Sequence, residues 1–529
     1  MREEGYEWKV ESGKWKVEGN MKKIVFLGLF VLVLSVSVNF IAGCAEKSPD
    51  NNKADPSMDS TDVQNGNLEK TDTGQIKYTA DYLPDKTYGG YEFRVVVPEN
   101  NVFDLTLSAN IEEETGDTVN DAIYRRNRLI EERYDIAIKQ INGPDWWDLS
   151  KLFQKSVVSG SDDFDLGMMI ARDAWATALK GAVMPIGRLP YVDISQPWYA
   201  RYVNSEISIN GKTYFAYSDE CLNLFEWTVC VMFNKQLAAD LALENMYGLV
   251  HNNRWTMDKF FELAKYAVLD LDGNGEMADK DRYGILSQHD MLYPSCWVSS
   301  GVKTVSKNEN DLFIFVGDDE KLYNILEKMY QNLFGGEKIY FDAFVDKITS
   351  YQFQPGTEEQ RRVSRKQFEE NLGLFYVNGV GEIPMLRAME TDFGILPFPK
   401  HDETQDRYYS RIVDGWPNCV PVTAPDPERT GVVMEALAVE SKNITVPAYY
   451  ETALRTKYAR DDESQEMLDI IHANMTMDIG DTFYMDPVRY IYVNVLNARK
   501  NNFASAVEKA IPKVEKTLAT ANEAALALD

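Results

Sequence analysis

The chain is short of the residues on which most enzymes build their chemistry. It has 4 histidines in 529 residues. His251, His289, His401 and His472 stand apart from one another, so surface or satisfied interior roles are the default for each. It contains no CxxC pair, no GxxxxGK[ST] phosphate loop, no GxSxG elbow and no HExxH helix, which removes the common thiol, nucleotide, serine-nucleophile and zinc signatures. Basic residues are also scarce: 55 Lys and Arg stand against 83 Asp and Glu, a formal charge of −28. That balance argues against a nucleic-acid partner and against a basic membrane-binding patch. With so many carboxylates a glycosidase pair could meet in space, but nothing marks one.

Cysteine is sparse as well, at 5. Apart from Cys44 these are Cys221, Cys230, Cys296 and Cys419. An even remainder permits disulfides in an exported protein, yet four cysteines allow three pairings and the spacing implies none. Cys221 and Cys230, in one apolar and aromatic stretch, read equally well as buried thiols.

Long apolar runs are missing too, except one. Ile24 to Cys44 is uncharged, follows Met21-Lys22-Lys23 and ends in Ile41-Ala42-Gly43-Cys44. A basic n-region, an apolar h-region and small residues before a cut site describe a secretory signal peptide. The cysteine after the small pair resembles the lipobox of bacterial lipoproteins, which implies that Cys44 becomes the lipidated N-terminus. An uncleaved anchor is the competing reading, although Ile24–Phe40 is at the short limit for a spanning helix. Either way the body is expected outside the cytoplasmic membrane. Residues 1–20 are neither basic nor apolar and read as an extension upstream of the natural start at Met21. Without residues 1–43, which carry 6 basic and 5 acidic side chains, 486 residues remain at −29. At 44% hydrophobic that length builds a large core and suggests two or more lobes.

Residues 44–80 are rich in Ser, Asp, Asn and Thr and read as a disordered tether. The fold is expected to begin near Tyr82. Tyr91–Val97 is β-branched and aromatic and Pro98 stops it, so it predicts a strand. Asp117 and Thr118 can cap a helix that places Val119, Ile123, Ile130 and Tyr134 on one face. Asp135–Ile138 predicts a second strand and Phe164–Ile170 a third, a succession that suggests a parallel α/β sheet. Ile207–Tyr217 alternates around Asn210-Gly211 and predicts a hairpin. Trp227–Lys235 is strand-like, and a helix should run from Lys235 to about Asn245. Trp255-Thr256-Met257-Asp258 opens another helix. Gly373–Gly379 reads as a strand and turn; Phe393–Pro399 and Gly415–Pro421 are further landmarks. From Asp426 the chain reads as mostly helical. Val507, Ile511, Val514, Leu518 and Ala525 share one side of a helix or helix pair around Pro512.

Several of these segments carry a family likeness. Lys212-Thr213-Tyr214, the Met232-Phe233-Asn234-Lys235 strand, the Trp255-Thr256 helix start, Phe375-Tyr376-Val377-Asn378-Gly379 and Phe393–Pro399 occur in an order that resembles the carbohydrate-type extracellular solute-binding proteins of ABC importers, with maltose-binding proteins the familiar example. Gly116-Asp117, Asn120-Asp121-Ala122, Arg126-Asn127 and Pro447-Ala448-Tyr449-Tyr450 look like a large lipoprotein subgroup of that family. The resemblance spans about residues 82–529. It implies an α/β, two-lobed periplasmic-binding-protein-like fold with discontinuous lobes, a hinge and a helical C-terminus. The lobes would be 82–225 with 401–455, and 226–400 with 456–529. Ligand would sit in the cleft, closed over by a hinge motion.

Two constellations could carry chemistry. Asp270-Leu271-Asp272-Gly273-Asn274-Gly275-Glu276-Met277-Ala278-Asp279-Lys280-Asp281 follows the twelve-residue EF-hand loop. Asp270, Asp272 and Asn274 take positions one, three and five, Gly275 supplies the turn, Glu276 offers a carbonyl, and Asp281 closes the loop where Glu is usual, as in dockerin-type loops. The expected ion is a structural Ca2+; the competing reading is a polar Asp/Gly turn without metal. The second set is aromatic and polar. Trp146, Trp147, Trp175, Trp198, Trp227, Trp297 and Trp416 lie in the body, and sugar rings stack on such faces while their hydroxyls seek planar polar partners. Loops after the carboxyl ends of α/β strands are where ligands bind. The candidate ligand residues are therefore Arg172, Trp175, Asp219, Glu226, Trp227, Trp297, Asn378, Asp414 and Trp416, with Glu220 beside them. Core packing is the competing reading for each tryptophan and a solvated loop for each polar residue.

The expectation is a monomeric, lipid-anchored receptor that captures an oligosaccharide or other small polar solute and hands it to the permease subunits of an ABC transporter, without catalysis. An exported carbohydrate-active hydrolase or a surface adhesin is the alternative.

Overall fold

The structure, a computed structural model, describes residues 8–11, 14–17, 68–70, 76–99, 105–450, 454 and 461–528. The apolar leader, Cys44 and most of the polar stretch behind it lie outside the described residues. Within residues 1–20, Trp8–Glu11 pairs antiparallel with Lys14–Val17.

Tyr91–Pro98 (β1) is the inner strand its β-branched run predicts. Phe93, Val95, Val96 and Val97 are all buried, the continuous apolar pattern of a strand covered on both faces. Helix Thr118–Tyr134 (α1) begins where expected, with the Asp117 carboxylate accepting from the backbone N–H of Val119 at 3.1 Å and of Asn120 at 3.0 Å. It buries Ile123, Ile130 and Tyr134 as the spacing requires, while Val119 is only half-buried. The next strand is longer than predicted, Ile136–Gly143 (β2), because it runs in full parallel register with β1. Leu166–Met168 (β3) and Phe215–Ala216 (β4) are shorter than predicted. The expected hairpin survives only as the Ile209–Lys212 bridge around Asn210-Gly211, both with positive φ.

The second sheet comprises Val229–Asn234 (β5), Tyr283–Ser287 (β6), Tyr340–Asp342 (β7), Gly373–Gly379 (β8) and Phe393–Pro397 (β9). Asn418–Cys419 (β10) then returns to the first sheet. The two five-stranded sheets share one plan. The first has the order β2-β1-β3-β10-β4 and the second β7-β6-β8-β5-β9. In each, three parallel strands are followed by an antiparallel one and then by a fourth strand paired to it. The antiparallel member is the strand that the chain lays down immediately after passing from the other sheet. The fold is thus α/β and two-lobed, with lobes discontinuous in sequence.

The passages between sheets touch each other. Thr228 bridges to Ile412, and the Val413 N–H donates to the Trp227 carbonyl at 3.0 Å. A third passage follows helix Pro427–Glu440, which packs on α1, and leads to helix Asp462–Ala473, which packs on β9. The body begins earlier than Tyr82. Leu68–Lys70 pairs with Ile76–Tyr78, and Asn443 brackets the backbone of Tyr78 at 2.9 and 3.0 Å. The stretch expected to be wholly disordered therefore ends against this third passage, a partnership that low apolar content conceals. Helix Lys235–Asp240 stops short of Asn245.

Phe503–Ala527 is one helix with Pro512 inside, burying Val507, Val514, Leu518 and Ala525. The C-terminal region is not confined to one lobe. Its last helix packs on helix Glu320–Phe334 of the second lobe. Yet Phe483 stacks on Trp175 of the first lobe at 5.5 Å and meets Phe215 edge-on at 6.0 Å, and the Lys212 ammonium reaches the Leu528 carbonyl. Phe313 from the hairpin Val305–Lys307/Phe313–Phe315 closes the other side of Trp175 at 5.4 Å. Helical periodicity marks an apolar face but not which lobe that face meets.

The four described cysteines, Cys221, Cys230, Cys296 and Cys419, are free buried thiols. Burial pushes the Cys221 thiol up to about 12, so they behave as small apolar side chains.

Because Trp175 fills this joint at 2% exposure, Trp175→Ala should cost about 3–5 kcal/mol in chemical denaturation. Trp147→Ala, at a half-exposed ring, should cost less than about 1 kcal/mol. Equal losses would contradict the assignment.

Candidate functional site

The carboxyl ends of the parallel strands and the passages between the sheets bring chemistry to one place. In the first lobe β2 runs into Trp146 and Trp147, whose rings stack at 3.5 Å. Trp146 is buried, whereas Trp147 is 52% exposed. Arg172, on the helix Ala171–Ala178 that follows β3, lies over both rings at 5.1 and 5.4 Å. Its Nη1 stands 3.4 Å from the Asp414 carboxylate and 3.3 Å from the Met485 sulfur. Asp414, on the return passage, also accepts from the N–H groups of Ala171 at 3.1 Å and Gly415 at 2.9 Å. Burial pushes its carboxyl up to about 7, with Arg172 pulling the other way.

The second lobe contributes the start of helix His289–Val298, directly after β6. His289 Nδ1 lies 2.8 Å from the Asp342 carboxylate, which also accepts from the His289 backbone N–H at 3.0 Å and from Tyr340 at 3.1 Å. Burial disfavours the charged ring, but Asp342 and Asp290 outweigh it and push His289 up to about 9. Arg361 lies over Phe344 at 5.1 Å on the same wall. The C-terminal region adds a buried charge cluster beside them. Arg489 donates from Nε to Asp481 at 2.6 Å; Asp481 also takes Nε and Nη2 of Arg411, at 2.6 and 3.1 Å. Arg411, Asp481 and Arg489 are all buried, so one carboxylate joins the return passage to the C-terminal region. Burial, foremost, raises the Tyr490 phenol to about 12, with Asp290 adding to the rise and Arg172 opposing it.

Of the ligand residues expected from sequence, Arg172 and Asp414 meet at this junction. Trp227 and Trp416 meet each other edge-to-face at 5.0 Å, one from each passage, and are buried there. Glu226 is buried and accepts from the Thr106 N–H at 2.6 Å and hydroxyl at 2.7 Å. Burial still pushes it up to about 7. Its carboxylate ties the segment behind β1 to the first passage. Trp175 donates to Tyr484 at 3.1 Å inside the aromatic joint. Trp297 is fully buried beside Tyr492 at 5.6 Å in the second-lobe core. Asn378 is occupied with the Tyr376 hydroxyl at 2.7 Å. Asp219 pairs with Lys442 at 3.4 Å, and Glu220 accepts from Asn418 at 2.5 Å. These side chains hold the fold together around the junction. From sequence, Trp147 was named among the aromatics but not among the candidate ligand residues, and His289 only as an isolated histidine; Asp290, Met485, Arg489 and Tyr490 were not singled out. Reading 283–287 as a strand would have pointed to His289 and Asp290 by the carboxyl-end rule; no periodicity could have pointed to Arg489.

The acidic loop lies at the opposite, amino end of β6. Carboxylate oxygens of Asp270, Asp272 and Asp281 come within 4.8 Å of one another, a spacing compatible with opposite ligands of one Ca2+, about 5 Å apart. Gly273 and Gly275 adopt φ of 68° and 83°, which L side chains resist. The N–H of Gly275 foremost, and that of Gly273, hold the Asp270 carboxyl below its usual range. Asp281 is buried and accepts from Leu271 at 2.8 Å and Ala278 at 2.6 Å. Asn274 Oδ1 accepts from the Glu276 N–H at 2.7 Å. The donor set is of the kind a hard cation takes.

No protein-family model matches the chain, and no curated protein matches it in sequence. Solved structures do. A cyclo/maltodextrin-binding protein complexed with maltotetraose superposes with a TM-score of 0.54 at 13% identity, covering 81% of this chain and 97% of the other. The ABC substrate-binding protein Lmo0181 from Listeria monocytogenes, in complex with cycloalternan, gives 0.51 at 12%, covering 81% and 99%. Maltose-bound T. maritima MalE3 gives 0.50 at 13%, covering 81% and 100%. This chain has the ABC solute-binding fold. The junction just described joins Trp147 and Arg172 of the first lobe, through Met485 and its neighbours, to Asp290 of the second.

His289 sets a pH signature. Its folded-state value, about 9, lies above the ordinary value near 6.5, so its stabilisation is fully present below about 6.5 and is lost as pH rises through about 9. The thermal midpoint of the wild type should therefore exceed that of His289→Gln at pH 6 and converge on it by pH 10. A constant gap would refute the charged pair with Asp342.

Proposed function

We propose that this chain is an extracytoplasmic receptor that captures an oligosaccharide between its lobes and delivers it to the permease of an ABC importer, held to the membrane by a lipid on Cys44. The observation that carries the reading is an exposed indole–guanidinium shelf at the carboxyl ends of the first sheet, tied through Met485 to the C-terminal region that also reaches Asp290 of the second lobe. An apolar ring face beside planar polar groups is what a pyranose needs. The named neighbours with maltotetraose, cycloalternan and maltose bound are consistent with that ligand class. No catalytic step is required. Ligand selects the closed arrangement because it touches both walls only there. On this reading the lobes are 82–225 with 401–455 and 226–400 with 456–529, and the touching passages around Thr228 and Ile412 are part of the hinge. The lipobox and the polar leash supply the address, and the acidic body stays in solution above an anionic surface.

Tryptophan fluorescence and thermal shift with a glycan panel test the reading. A native-state ligand at one hundred times its Kd adds about 2.7 kcal/mol of stability, a shift of several degrees without product formation. Turnover, or no shift with any glycan, would defeat it.

The loop from Asp270 to Asp281 is read as a structural calcium site. Adding millimolar calcium to EDTA-stripped protein should release or absorb heat and raise the melting temperature, and Asp272→Asn should abolish both effects. A silent titration of the wild type would leave the loop a self-capped turn.

A further inference from the structure

We propose that the side-on fork of Arg172, its Nε and Nη2, takes the carboxylate of an acidic sugar unit, so that the ligand is a uronate-containing oligosaccharide. The proposal rests on the receptor reading and names its ligand class.

Arg172 is held at one nitrogen and against two rings. Its Nη1 stands 3.4 Å from the Asp414 carboxylate and 3.3 Å from the Met485 sulfur. Its guanidinium carbon is 5.1 Å from the ring centre of Trp146 and 5.4 Å from that of Trp147. Among the described residues, Nε and Nη2 have no hydrogen-bond partner, and the side chain is 21% exposed. Solvent reaches both nitrogens, unlike Nε and Nη2 of Arg429, which are buried without partners. The same edge of a guanidinium is filled elsewhere in the molecule, and by a carboxylate. Nε and Nη2 of Arg411 take the two oxygens of Asp481 at 2.6 and 3.1 Å. Arg411 is buried and its fork is closed; the fork of Arg172 is accessible and open.

Two parallel N–H donors match two coplanar acceptor oxygens, which a carboxylate supplies with a charge and a pair of hydroxyl groups supplies without one. Charge decides between them. Asp414 is the one acid within ion-pair distance of Arg172 among the described residues, and burial pushes its carboxyl up to about 7. Asp173, next in the chain, turns to Ser150 at 3.5 Å. At neutral pH the guanidinium is thus only partly balanced. The charge of −28 on the whole chain opposes an anion, but exposed charges beyond about 8 Å are largely screened at physiological salt. Trp147 supplies the rest of the site. One face of its ring is taken by Trp146 at 3.5 Å. With 52% of the residue exposed, its other side is open to the ring of an adjoining sugar unit.

Calorimetric titration of the purified protein tests this with tetragalacturonate and tetramannuronate, each against its full methyl ester, and with maltotetraose and cellotetraose as neutral references. At least one uronate is expected to bind wild type, and its methyl ester to bind at least roughly tenfold more weakly, the worth of one charge-assisted pairing. Arg172→Gln should weaken the uronate by a similar factor and narrow the gap to its ester. The ester comparison is made on wild type, so a folding defect in the variant cannot imitate it. If uronate and ester bind alike, if only the neutral references bind, or if Arg172→Gln keeps the full gap, the proposal falls and the receptor reading stands. It falls too if succinate competes as well as the uronate binds, since the fork would then hold a carboxylate without a sugar. If no probe binds wild type, the oligosaccharide reading fails, and this proposal with it.

Discussion

Each of the two sheets is completed by a strand that arrives from the other lobe. β5 lies between β8 and β9, and β10 between β3 and β4, both antiparallel to their neighbours. The exchange forces the chain to pass between lobes next to the carboxyl ends of the parallel strands, where α/β sheets bind ligands. Neither sheet can be closed without the passage that feeds it. The lobes are therefore covalently and sterically joined at one line, and whatever moves must move about it.

That line is packed, not merely threaded. Trp227 and Trp416 meet edge-to-face, an arrangement worth roughly 0.5–1.5 kcal/mol beyond the area it buries. Glu226 clamps Thr106 and Asp414 gathers two backbone N–H groups. Both acids sit where water is excluded and both are pushed up to about 7. A second tie lies further out, where Trp175 is enclosed by Phe313 and Phe483. The C-terminal region thus braces both lobes, with its buried Arg489 held by Asp481.

Legibility in sequence followed the range of the interactions. Asp117 capping α1, Thr256 opening helix Met257–Tyr266 and the β-branched run of β1 depend on neighbours a few residues away, and all were readable. So was the convergence of carboxylates in the loop from Asp270 to Asp281, because a twelve-residue loop brings its own ends together. The tryptophans were read less well. Trp175, Trp227, Trp297 and Trp416 look alike in sequence, and all four are buried, because a large ring near a strand end can turn toward core or cleft with equal ease. Trp147 was distinguishable only once Trp146 took the inner side of the stack.

By itself the sequence determined the α/β class, the helix starts, the acidic loop and the order of segments that resembles a solute receptor. Those are consequences of local propensity, capping and periodicity, which need no distant partner. Tertiary structure alone decided which strand enters which sheet, that the last helices lean on both lobes, and that His289, Asp290 and Arg489 face one another. His289 and Arg489 lie 200 residues apart in number, and nothing in either neighbourhood encodes the other. Both approach Asp290, which follows from a chain that passes back and forth between the two sheets before the C-terminal region packs against both.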